Sequence, residues 1–264
     1  MDNTKKNYGF VKPVIAPEDY VFGAGQVAQD VLQPDGQWEA FAPDKEAQSI
    51  RGIETFNCTA FSTLNAIEIL MRRKFDVSAN NSDRFAGIMA GTKPPGNSPH
   101  TVAEAIRHFG SIPEAALPFD DRVMNVDDYY QPSPMEDMYL DIGKDWLKNF
   151  VFKHEWVTPT PEKLMEALKQ SPIGVSVHAW KKGPNGQFYR SEGDEDNHWA
   201  LLIGYKKHGY WLIYDNYEDD GKPFKKLDWD YTFGFAKRYW LDQAVFKPSF
   251  LARLVAALKK LFKK

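Results

Sequence analysis

Cys58 is the only cysteine in a chain of 264 residues. It follows Asn57 and opens the run CTAFSTLNAIEILMRR, 58–73, which reads as a helix. A thiol at a helix start meets unpaired backbone N–H groups and the positive end of the macrodipole. Both favour the thiolate, which is the attacking species. The same N–H groups can donate to a developing oxyanion. A free cysteine is also a common inert core residue, so the chemistry depends on partners. His198 is the best placed of the six histidines. It opens the apolar run HWALLIGY after the polar loop Asp194, Glu195, Asp196 and Asn197. His178, also on a predicted strand, is its competitor; His100, His108, His154 and His208 read as structural. The run YWLIYDNY, 210–217, follows. An antiparallel neighbour puts the end of one strand beside the start of the other, so Asp215 or Asn216 comes within reach of His198. Cysteine, then histidine, then a carboxylate or amide is the logic of an activated thiol nucleophile.

The elements that must hold these groups can be read from the pattern. Phe61, Leu64, Ile67, Ile69, Leu70 and Met71 cover most of the circumference of the first helix, which places it inside the protein. Asn57 is its expected N-cap, and Arg72 and Arg73 suit its C-terminal end. HTVAEAIRHFG predicts a short helix ended by Gly110, and TPEKLMEALKQSP another, capped by Thr158 or Thr160. IGVSVHAW, NHWALLIGYKK and GYWLIYDNY predict strands, the last two joined by a Lys-Lys-His-Gly turn. Helices come first and strands later, which is α+β segregation without βαβ alternation.

Four motifs in this order resemble the papain-like cysteine proteases. They are CTAFSTLNAIE; TVAEAIRHFGSIPEAALPFDD; PEKLMEALKQSPIGVSVHAW; and NHWALLIGY with YWLIYDNY. The resemblance spans roughly residues 45–245. It implies a helical left subdomain with a central Cys-bearing helix, and a right subdomain of antiparallel β-sheet. It also implies a thiol peptidase working through an acyl-enzyme thioester on a protein or peptide; a monomer without cofactor or metal is expected. Cys58 is then the nucleophile and His198 the base. Asp215 is the third member, accepting the imidazole Nδ1–H, or Asn216 if the register slips by one. The alternatives are a related thiol hydrolase acting on another acyl donor, or an inactive module keeping the fold.

This chain departs from the family pattern at the oxyanion site. The family has a glutamine six residues before the nucleophile; here that position is Gly52. The donors left are the Cys58 backbone N–H and, nearby, Gln48 and Glu54. Gln48 reaches only if the loop folds back, and an ionised Glu54 cannot donate.

Bulk properties set the limits. Hydrophobic residues make up 43% of the chain and aromatics 14%, enough for a large core. One cysteine excludes an internal disulfide and a zinc site built of cysteines. No signal-peptide or transmembrane pattern is visible, so the expected setting is cytoplasmic or otherwise reducing. Residues 1–44 are broken by prolines and read as an N-terminal extension packing on a domain of 45–248. The tail, 249–264, is a basic amphipathic helix that suits a partner surface or an anionic membrane. The chain is −3 overall and this tail contributes +5, so the first 248 residues carry −8. That balance gives no argument for nucleic acid. The acidic run SEGDEDN, 191–197, reads as a solvated loop.

Overall fold

The computed structural model describes residues 7–16, 19, 30–44, 46–217 and 223–244. Its centre is helix α1 (Cys58–Phe75), buried at every residue from Cys58 to Met71. Arg72, Arg73 and Lys74 occupy its last turn, and Asp76 closes it in the left-handed conformation. Asn57 stands at the N-cap but makes no capping bond. Its amide donates instead to the Asp83 carbonyl at 2.8 Å and the Tyr129 hydroxyl at 2.9 Å. The first N–H groups of α1 therefore have no side-chain cap competing for them.

The helical side is completed by α2 (Asp83–Met89), α3 (Pro99–Phe109), α4 (Val126–Tyr129) and α5 (Asp137–Asn149). Both α2 and α3 pack on α1, and α5 packs on α3. Ser98 caps α3, accepting from the N–H groups of His100 and Thr101, and Gly110 ends it.

On the other side lies a sheet of eight strands, one more strand-rich than the sequence suggested. In spatial order they are β5 (Phe150–Val157), β12 (Ala236–Gln243), β6 (Ile173–Val177), β9 (His198–Lys206), β10 (Tyr210–Tyr214), β11 (Phe224–Asp228), β8 (Phe188–Tyr189) and β7 (Lys181–Lys182). Neighbours are antiparallel except β11 and β8. Helix α6 (Pro161–Leu168), capped by Thr160, interrupts the strands between β5 and β6. Leu64, Ile67 and Leu70 of α1 share one core with Val175, Ala200, Leu202 and Tyr239 of the sheet.

Two small pairings complete the frame. β1 (Gly9–Phe10) runs parallel to β4 (Gly96–Asn97). β2 (Ser49–Ile50) and β3 (Ile53–Glu54) form a hairpin whose turn residues, Arg51 and Gly52, both have positive φ. The expected helix at 249–264 lies outside the described residues. Among those residues no helix is long and apolar enough to cross a membrane.

Candidate active site

The sheet brings His198 and Asp215 together by register. His198 opens β9 opposite Val177. Asp215 directly follows β10, whose last residue Tyr214 faces Leu201. His198 Nε2 lies 2.7 Å from Asp215 Oδ1. The contact uses Nε2, where Nδ1 was expected, and it leaves Nδ1 without a hydrogen-bond partner. Asn216 is not the partner. It accepts from Asn65 Nδ2 at 2.8 Å and donates to the Glu46 carbonyl at 2.9 Å.

Asp215 has further partners that sequence reasoning missed. Its Oδ2 accepts from Trp180 Nε1 at 3.0 Å and lies 3.1 Å from Lys225 Nζ. Lys225 is 1% exposed, on the inward face of β11. Burial alone would raise the Asp215 carboxyl. The His198 ring and the Lys225 ammonium outweigh it and hold the group at about 2. A faint signal existed in FKKLD, where Lys225 is two residues from Leu227 and so shares its face.

Cys58 heads α1 and packs with Trp156, Trp199 and Phe10. The backbone N–H groups of Trp199 and Thr59 both stabilise its sulfur. The thiol was expected to be acidified by the helix start, and it is not. Burial comes first, and the charges of Glu54 and Asp215 add to it, pushing the thiol well above its ordinary value. His178 is engaged elsewhere: its Nδ1 lies 2.8 Å from the Glu195 carbonyl oxygen. In the acidic loop, Asp194 pairs with Lys181 and Asp196 with Arg190.

The hairpin β2–β3 changes the reading of the oxyanion residues. It folds the loop back, so Gln48 is fully buried beside Tyr217 and Glu54. Gly52 sits at its exposed turn, with no atom within 4 Å of where a Cβ would be. Gln48 Nε2 donates to the backbone carbonyl oxygen of Tyr8 at 3.0 Å. Glu54 is an acceptor, not a donor. Its Oε1 receives the Tyr217 hydroxyl at 2.5 Å, the Phe56 N–H at 3.0 Å and Gln48 Nε2 at 3.4 Å. It therefore helps orient the Gln48 amide.

The carbonyl that Gln48 holds belongs to the N-terminal segment, which packs against these residues. The Tyr8 N–H donates to the Asn197 carbonyl at 2.8 Å, and the Val11 N–H to the Asn97 carbonyl at 3.0 Å. Tyr8 meets the His198 ring edge-on at 5.7 Å, joined there by Tyr217 and Trp180. Phe10 stacks on Trp199 at 5.8 Å. Gly9 is forced by its neighbours: at φ 108°, an added Cβ would fall 2.3 Å from the Phe56 carbonyl oxygen. With this segment in place, Cys58, His198 and Asp215 are each 1% exposed.

The chain is similar to solved structures of three cysteine proteases or their precursors. Digestive procathepsin L 3 of the Tenebrio molitor larval midgut aligns with a TM-score of 0.61 at 16% identity. The alignment covers 92% of this chain and 78% of that one. Xylellain, a cysteine protease from Xylella fastidiosa, aligns at 0.61 and 15%, over 91% and 97%. A recombinant stem bromelain precursor aligns at 0.59 and 15%, over 90% and 80%. No protein-family model and no curated protein matches the chain. The fold is papain-like.

Proposed function

We propose, from the papain-like fold and the residues gathered in its cleft, that the chain is a thiol peptidase with Cys58 as nucleophile. The observation that carries this reading is the Gln48 contact. The Gln48 amide N–H already donates to the carbonyl oxygen of a peptide, the Tyr8 carbonyl, at 3.0 Å. That is the role of an oxyanion donor.

The chemistry follows from the atoms. Sγ of Cys58 passes its proton to the free Nδ1 of His198 and attacks the carbonyl carbon. Asp215 holds Nε2–H and stabilises the imidazolium. The oxygen's developing charge meets Gln48 Nε2–H and the Cys58 backbone N–H. The tetrahedral intermediate collapses to a thioester, and Nδ1 returns its proton to the leaving amine. Water then attacks the thioester, losing a proton to Nδ1. The acid departs and the thiol is restored.

The resting chain is latent on this reading, because Tyr8 and Phe10 occupy the place of a substrate. Two of the similar structures, the procathepsin and the bromelain precursor, are precursor forms, which is compatible with this. Alkylation of the full chain carrying Gly9→Val with a thiol-directed epoxide peptidase inhibitor is the test, read by mass spectrometry. One modification, on Cys58, with hydrolysis of fluorogenic peptides is the expected outcome. Modification without peptide hydrolysis points to another acyl donor. A folded, opened protein that resists the inhibitor is an inactive module.

A further inference from the structure

One corner of the cleft carries charge that the proposed mechanism does not use. Trp156 on β5 and Lys237 on β12 are direct cross-strand partners, exposed by 2% and 1%. Lys237 Nζ lies 3.7 Å from the centre of the Trp156 ring and 3.1 Å from His154 Nδ1. The other imidazole nitrogen is 2.8 Å from Glu104 Oε1. Burial first, and Lys237 next, push His154 down to about 3, so the ring is neutral. It donates from Nε2 to Glu104 and accepts at Nδ1 from Lys237. Glu104 is also gripped by Arg107, and Glu155 pairs with Arg238 at 2.8 Å. Both nearby acids of the domain thus have an arginine of their own.

A third carboxylate enters this corner from the N-terminal extension. Asp19 Oδ2 accepts from Trp156 Nε1 at 3.1 Å and from the Ala16 N–H at 2.9 Å. Its Oδ1 lies 3.6 Å from His100 Nδ1, and its side chain is 12% exposed. Burial works against the Asp19 charge, yet these hydrogen bonds and the charges of His100 and Lys237 hold the carboxyl below its usual value. Trp156 belongs to the apolar cluster of Cys58, Phe10 and Trp199. One indole therefore joins the thiol's surroundings to a bound carboxylate.

We propose that Trp156, His100 and Lys237 form a side-chain pocket selective for a carboxylate, with Asp19 as the chain's own occupant. In a substrate it takes an Asp or Glu side chain. The proposal rests on reading the cleft as a peptide-binding one. The physical basis is the buried ammonium of Lys237. Burial outweighs the pull of Asp19, Glu104 and Glu155, of which Asp19 is the strongest, and leaves the group at about 7. A carboxylate adds to the compensation that Glu104 and Glu155 give this charge, a neutral amide adds nothing, and a lysine side chain repels it.

The test uses the full chain and reads the rate of Cys58 alkylation by iodoacetamide, which reports departure of the extension. Asp19→Asn should raise the rate about tenfold, as loss of a charge-assisted hydrogen bond does, and Lys237→Met, which removes a nearby charge that is not hydrogen-bonded to Asp19, should raise it by less. The double variant should be no faster than the faster single one. His100→Gln, on the partly exposed start of α3, replaces Lys237→Met if that protein fails to fold. A synthetic peptide of residues 7–19 should then slow alkylation of the Asp19→Asn chain at concentrations about tenfold lower than its own Asp19→Asn analogue. No rate change in Asp19→Asn, additive rates in the double variant, or equal potency of the two peptides overturns the proposal. Failure of the peptidase reading looks different: no peptide is hydrolysed, while these rate differences persist.

Discussion

Lys225 Nζ and Asp215 Oδ2 are 3.1 Å apart, and both side chains are 1% exposed. A buried carboxylate next to His198 is thus matched by a buried ammonium. Removing either partner leaves one charge uncompensated, which typically costs about 3–5 kcal/mol. Replacing both with neutral groups of similar shape avoids that cost. Lys225→Met and Asp215→Asn should each destabilise the protein, and the double variant should recover to within about 1–2 kcal/mol of the parent. Urea unfolding of the four proteins measures this. Additive losses would show that the pair is not coupled.

If Gln48 is the oxyanion donor proposed above, Gln48→Ala should lower kcat/KM by about 10²–10³, the usual loss for one such donor. Gly52→Gln restores the family's residue at the expected spacing and should give no gain. The turn points that side chain into open space. Steady-state kinetics on a fluorogenic peptide separate the two variants. Rescue of Gln48→Ala by Gly52→Gln would contradict the hairpin geometry.

Gly9→Val should open the cleft. Its Cβ would overlap the Phe56 carbonyl, a backbone atom that cannot rotate away. The extension should lift, and Cys58 alkylation should accelerate at least about tenfold while the circular dichroism spectrum of the domain is kept. An unchanged rate would mean that Tyr8 and Phe10 do not gate the thiol.

The helical side carries a pH-dependent element of its own. Burial, then hydrogen bonding and neighbouring charge, leave Glu68 and Glu114 at about 8, and Asp83 is raised as well. The folded chain keeps protons that the unfolded chain releases above about 4.5. The stabilisation from Glu68 is complete below that pH and is lost as pH climbs through 8. His154, held at about 3, contributes in the opposite sense below 6.5. The clean measurement is therefore the difference between the parent and Glu68→Gln. In thermal melts, the variant's Tm should gain on the parent by several degrees between pH 4.5 and 8. A pH-independent difference would show that Glu68 is ionised throughout.

The parts of the fold that were legible are those where burial and polarity agree. α1, α3, β6, β9 and β10 bury apolar side chains, so their periods stand out in the sequence. β5, β11 and β12 were not seen because they turn His154, Lys225 and Lys237 inward, and each reads as a break in the apolar pattern. The site divides in the same way. The meeting of His198 with Asp215 was readable because His198 begins one strand and Asp215 follows its neighbour. Gln48 was only a candidate, because its distance along the chain from Cys58 includes the hairpin. Trp180 and Lys225 act through tertiary contacts that no local pattern announces. The proline-broken stretch holding Tyr8 and Phe10 read as packing on the domain, with nothing in it to say that the cleft was where it packs.

The occupant of this cleft is covalently attached, and that fixes how outside ligands must compete. A tethered segment acts at an effective concentration that is about millimolar for short flexible connections, and dilution does not lower it. If Tyr8 and Phe10 block the site as proposed, a free peptide or inhibitor binds only the fraction of molecules in which they have left, so its apparent affinity is weakened by that fraction. Screening the intact chain therefore ranks ligands correctly among themselves but understates every one of them by the same factor. Gly9→Val should shift all the apparent constants together.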